Sequence, residues 1–111
     1  MQISQADFEA VELRIGRIAS ADRFPEARRP AYRLVVDFGP EFGRRNSSAQ
    51  ITARYTPESL VGRLVIAVTN LPPKRIGPFV SEVLVTGFVV GEGEVLLAVP
   101  DGEVALGTRL C

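Results

Sequence analysis

The chain has 111 residues, 46% of them hydrophobic, with thirteen cationic and thirteen acidic side chains, no histidine and one cysteine, Cys111. Without histidine there is no Ser-His or Cys-His nucleophile pair and no His-bearing zinc site, and a lone terminal cysteine excludes an intrachain disulfide, a two-cysteine redox motif and a thiolate-rich metal centre. The length suits a single domain spanning residues 1–111 that buries roughly two-thirds of its unfolded surface; with no run of about 18 apolar residues and no basic leader, it reads as a soluble, cytoplasmic protein without membrane insertion.

In chain order, Ser4 and Asp7 have the spacing of a helix N-cap and its acidic N3 partner, and Ile3 and Phe8 that of a hydrophobic staple, which predicts a short helix over 5–11. Its Phe8 and Val11 are expected to cover one end of the core, or else a partner subunit. Leu13–Ala19 alternates apolar and charged residues as a half-buried strand does, with a bend expected at Gly16. Phe24–Pro30 is a turn-rich loop carrying Arg28 and Arg29. Tyr32–Phe38 returns as a second strand, and Gly39–Gly43 closes the hairpin. Arg44–Thr52 is a polar third strand whose hydroxyls and amides face a ligand or bond locally. Thr56 as N-cap and Pro57 at the first helical position mark one helical turn, ended by Gly62.

The stretch from Gly62 to Val90 reads as the organising centre. Leu64–Val68 and Val83–Val90 have the β-branched form of buried strands. Between them, Asn70–Phe79 contains three prolines and Gly77 and cannot be helical, so Lys74 and Arg75 sit on a pre-shaped loop. Glu94–Val99 is one more strand, turned by Pro100-Asp101-Gly102 into a last short segment. This order predicts an all-β fold: an OB-type five-stranded Greek-key barrel with a short N-terminal helix and one short helix between strands 3 and 4. A different small barrel would give a similar strand count.

Charge is sorted along the chain although the net is zero. Residues 14–75 hold twelve cations against five acids, a net +7, balanced by −3 before them and −4 after them. Twelve arginines to one lysine favour bidentate contacts to phosphate or carboxylate, and a solvated charged face accounts for the same pattern. No spacing joins two carboxylates or a lysine nucleophile into a catalytic constellation, so the reading is a non-enzymatic protein with no catalytic residue, metal or cofactor.

Glu12–Ile18, Phe24–Arg28, Ser47–Thr52, Asn70–Ile76 and Ser81–Val85 resemble, in order and spacing, the CsaA family of bacterial export-related chaperones, from about Asp7 to Gly107. More distantly the chain resembles the tRNA-binding domain appended to methionyl- and phenylalanyl-tRNA synthetases. Two positions depart from those domains: Phe24 stands where they often carry histidine, and Lys74-Arg75-Ile76 is followed by Gly77-Pro78-Phe79 rather than by further basic residues.

The resemblance implies a homodimer joined through its terminal segments, which binds unfolded preproteins in association with the secretion machinery, or alternatively tRNA. The apolar runs Val95–Pro100 and Val104–Leu106 fit an edge covered by a twofold partner. For peptide binding the candidates are Phe38, Phe42, Ile76 and Phe79, with Phe88 near the seam; Phe79 could equally pack in the core or interface. For nucleic acid they are Arg14, Arg33, Arg44, Arg45, Lys74 and Arg75 on phosphates, with Ser48, Gln50 and Asn70 offering hydrogen bonds. Ordinary strand-end bonding would occupy the last three as well. With no tryptophan, base stacking falls to Tyr32, Tyr55 and the phenylalanines.

Overall fold

The computed structural model describes residues 1–111. Its central element is β1 (Leu13–Arg23), longer than the sequence pattern suggested, because it serves two partners in succession. Leu13–Arg17 pairs antiparallel with β4 (Leu64–Val68), and Arg17–Arg23 pairs antiparallel with β2 (Tyr32–Asp37). The change of partner is accommodated by a register shift between Ile18 and Ser20, so the strand bends there and not at Gly16. Gly16 has a different role. A Cβ at that position would lie 2.4 Å from Val36 Cγ1 and 2.9 Å from Phe38 Cε1, so the glycine lets two core side chains close against the backbone of β1.

β2 shows the alternation expected of a half-buried strand, with Tyr32, Leu34 and Val36 inward. It pairs with β3 (Arg44–Ala49), which stops before Gln50 rather than running to Thr52. The chain then forms the expected helical turn, α2 (Pro57–Leu60), capped by reciprocal Thr56 and Ser59 hydrogen bonds, and Leu60 plugs the core with no exposed surface. After β4 the proline-rich connection is more ordered than a loop. β5 (Lys74–Ile76) and β6 (Phe79–Ser81) form a hairpin, with Gly77 at φ +59° beside Pro78 supplying the two-residue turn.

The expected strand Val83–Val90 is divided. β7 (Leu84–Val85) pairs with β4, Thr86 N still donates to Ile66 O at 3.0 Å, and β8 (Gly87–Gly91) pairs instead with β9 (Glu94–Leu97). The main sheet therefore runs β3-β2-β1-β4-β7. It closes where Asn46 O accepts from Glu82 N at 2.8 Å and Val83 N at 3.2 Å, while the buried Ser47 Oγ donates to Val83 O at 2.9 Å. The result is the expected nearly closed five-stranded OB-type barrel, filled by Ile18, Leu34, Val36, Phe38, Leu60 and Val65.

Two sequence expectations fail for one reason: the elements concerned lie outside the barrel. β8 is not a buried strand, since Phe88 is 63% and Val89 82% exposed on a ribbon that projects from the barrel. The N-terminal helix α1 (Gln5–Ala10) has its Ser4–Asp7 capping box but buries no residue within this chain: Ile3 and Val11 stay exposed, and Phe8 is half-buried in a cleft with Leu110. The last segment does pack, with Ile15 N donating to Thr108 O at 2.9 Å and Leu110 N to Leu13 O at 2.9 Å, alongside the first half of β1. Gly16→Ala is expected to destabilise the fold by about 1–3 kcal/mol through overpacking, read as a lower urea midpoint at unchanged slope.

Candidate functional site

Three segments converge on one side of the barrel: the end of β3 with Ser48 and, just past it, Gln50; the loop between β1 and β2 with Arg28 and Arg29; and β5 with Lys74 and Arg75. They enclose a groove of about 540 Å³ in which those four cations face one acid, Glu26. A second groove of about 600 Å³ adjoins it, walled by Ile51, Leu71, Val83, Leu84, Val85 and Val95. The two grooves form one trough with a basic half and an apolar half. No aromatic residue lines either half.

The basic walls are held by aromatic packing behind them. Phe24, almost wholly buried at the start of the loop, meets Phe79 of the hairpin edge-to-face, with ring centroids 5.3 Å apart at 65°. Phe24 N donates to Ala31 O and Ala27 N to Phe24 O, both at 3.2 Å, which closes the loop on itself. The hairpin is tied to the barrel where Ser48 N donates to Ser81 Oγ at 3.2 Å. Phe79 is therefore a support of the basic walls rather than part of the trough lining. Arg33 lies directly across from Ser48 and places its guanidinium 5.6 Å from the Phe24 ring, one strand away from the trough.

Several predicted ligand contacts are occupied elsewhere. Arg14 donates to Glu12 and, at 2.7 Å, to Gly107 O, and its guanidinium stacks 4.0 Å from the Phe42 ring, so it joins β1 to the C-terminal segment. Asn70 bonds its Oδ1 to Glu12 N at 2.9 Å and its Nδ2 to Ala10 O at 2.8 Å, which secures the end of α1. Arg44 and Arg45 lie at the far end of β3, opposite Asp37 and Val36. Phe38 is 1% exposed and belongs to the core, which removes it from the peptide-contact set. Phe42 sits beside the C-terminal segment, in a cleft with Arg14 and Arg109, and Phe88 is on the ribbon. Of the apolar candidates, Ile76 alone lines the trough.

Tyr32 is buried, and the half-buried Tyr55 has the Arg63 guanidinium 5.2 Å from its ring centroid. Tyr32 Oη donates to Tyr55 O at 2.7 Å, and Tyr55 Oη accepts from Leu97 N at 3.1 Å. Sequence reasoning noted the Arg28-Arg29 pair but left it out of the site. What placed it there is the loop closure that folds it back beside Lys74 and Arg75, and no local pattern announced that neighbour.

Residues 13–109 match the family described as "Putative tRNA binding domain". The methionine–tRNA ligase of Archaeoglobus fulgidus is 33% identical over 110 residues, which cover 99% of this chain and 16% of the ligase. The chain thus spans about one-sixth of the length of that curated relative. Among solved structures, chaperone CsaA from Bacillus anthracis is 49% identical with a TM-score of 0.94, covering 100% of both chains. The CsaA chaperone protein from Picrophilus torridus is 42% identical with a TM-score of 0.91, covering 99% of this chain and 100% of that one.

Phe79→Ala is expected to cost about 1–3 kcal/mol, less than truncation of a wholly buried phenylalanine because Phe79 is half-buried. Amide exchange at Phe24 and Ala27 should accelerate in the same variant, and unchanged exchange there would show that Phe79 does not hold the loop. At Glu12 the hydrogen bond from Arg14 holds the carboxyl below the ordinary glutamate range, against the opposing effect of desolvation. A depressed folded-state pKa stabilises the fold above the unfolded value of about 4.3 and loses that stabilisation as the pH falls through the folded value. The stability advantage of the wild type over Glu12→Gln should therefore shrink between about pH 5 and pH 3, measured by denaturation at each pH.

Proposed function

The chain belongs to the tRNA-binding domain family, and from that premise we propose that it is a non-enzymatic CsaA-type chaperone, a cytoplasmic homodimer that holds unfolded preproteins for the secretion machinery. The observation that carries this reading is the trough, whose apolar half is continuous with a basic half. An unfolded polypeptide offers what such a surface takes, apolar side chains for Leu71, Ile76, Leu84 and Val95 and carboxylates for the arginine rim. Likeness over the full length to the CsaA chaperone structures from Bacillus anthracis and Picrophilus torridus supports it. The homodimer is supported by the ribbon, where Phe88, Val89, Val90 and Leu96 are each at least 38% exposed, a face of the kind that twofold partners cover.

A second reading, tRNA binding, has its own observation. Arg28, Arg29, Lys74 and Arg75 stand together with the hydrogen-bonding side chains Ser48 and Gln50. With no aromatic in the lining, this half would hold RNA by its phosphates rather than by stacked bases. Four phosphate contacts give a log–log salt slope of about −3.

The test is a paired titration of the protein, its mass in solution measured, against labelled tRNA and against an unfolded preprotein at two salt concentrations. The chaperone reading expects a dimer that binds the unfolded chain with a modest salt response. Lys74→Ala/Arg75→Ala is expected to reduce the tRNA salt slope by about 1 to 2. Failure of the protein to bind the unfolded chain would overturn the chaperone reading, and salt-independent tRNA binding would overturn the second.

A further inference from the structure

The two halves of the trough share a wall. Ser48, Gln50, Lys74 and Ile76 line both, so a ligand seated in either half rests on the same four side chains. That wall is fixed on each side. Lys74 is paired with Ser81, Ser81 Oγ is bonded to Ser48 N, and the hairpin is braced behind by the Phe24–Phe79 contact. A braced wall cannot retreat from one half to make room in the other.

We propose that the trough takes one ligand at a time, so that a folded RNA on the basic half expels an unfolded polypeptide from the apolar half and acts as the signal for client release. The inference rests on the two binding readings above and adds the coupling between them. Lys74 is central to it. Its one side chain lines both halves, with an apolar stem for a client's apolar side chain and a cationic head for a phosphate, so both ligands draw on the same residue. Electrostatics act in the same direction. Phosphates on Arg28, Arg29 and Arg75 neutralise the rim that attracts a client's carboxylates and repel those carboxylates directly. Because coupling between two ligands is reciprocal, a bound client excludes RNA to the same degree.

The test uses fluorescent α-lactalbumin, reduced and carboxamidomethylated so that it stays unfolded, titrated with the intact protein at about 100 mM salt in increasing concentrations of unlabelled bulk tRNA. With tRNA at about ten times its own Kd, the client's half-saturation point is expected to rise about elevenfold, and to keep rising in proportion to added tRNA. A shift that reaches a plateau instead of growing with added tRNA, or a complex that at saturation of both ligands carries more than one ligand per protomer, overturns the proposal while leaving both binding readings standing. Direct titrations of each ligand alone separate the other failure, because a ligand that does not bind by itself removes its own reading and the competition with it.

Discussion

An eleven-residue strand that pairs along its whole length with short neighbours must change partners partway, and β1 does so. The register shift at Ala19 turns the strand from β4 toward β2, and the open edge beside its first half is filled by the C-terminal segment. Everything that closes the barrel follows from that bend. Gly16 admits Val36 and Phe38 to the inside of the curve, and Arg14 fastens the C-terminal segment to its outside through Gly107 and Phe42. In a small domain, where the margin between burial and chain entropy is narrow, such ties decide whether a barrel closes or remains an open sheet.

Closure at Asn46 also creates the functional surface. Because β3 meets the chain at Glu82 and Val83, the hairpin of β5 and β6 has to rise beside the end of β3, and the loop carrying Arg28 and Arg29 has to fold against it. Phe24 and Phe79 then bind the two basic arms into one rigid body. The trough inherits that rigidity. Its cations are presented by braced backbone, which lowers the ordering cost of binding any ligand.

The apolar surface divides in two, and the division follows topology. Residues of the closed barrel, such as Val65 and Ala67, are buried, whereas on the β8–β9 ribbon Phe88, Val89 and Val90 remain open and only Leu97 reaches the core. β-branched composition alone cannot tell these fates apart, since both runs satisfy the same local preference for extended backbone. The site's charges divide similarly. Lys74 and Arg75 are exposed on the trough wall, while Arg14 is spent on the fold.

What the sequence alone determined was local: the Ser4 and Thr56 caps, the β2 alternation, the polar third strand and the non-helical Asn70–Phe79 connection are each set by a few neighbouring residues. The order of these elements fitted an OB-type barrel but fitted other small barrels as well, and the family resemblance chose between them. Even the hairpin hidden in that connection had a local signal, Gly77-Pro78 between β-prone pairs, outweighed by the two prolines before it. What only the tertiary structure decided was non-local. Whether an arginine is a strut or a ligand contact, whether Phe38 is core and Phe79 a brace, and whether Val89 is buried depend on residues dozens of positions away. Asn70, which the sequence left between ligand contact and ordinary hydrogen bonding, bonds residues 58 and 60 positions earlier. Closing a chain into a barrel brings such partners together through the pairing of whole strands, so no window of the sequence contains them.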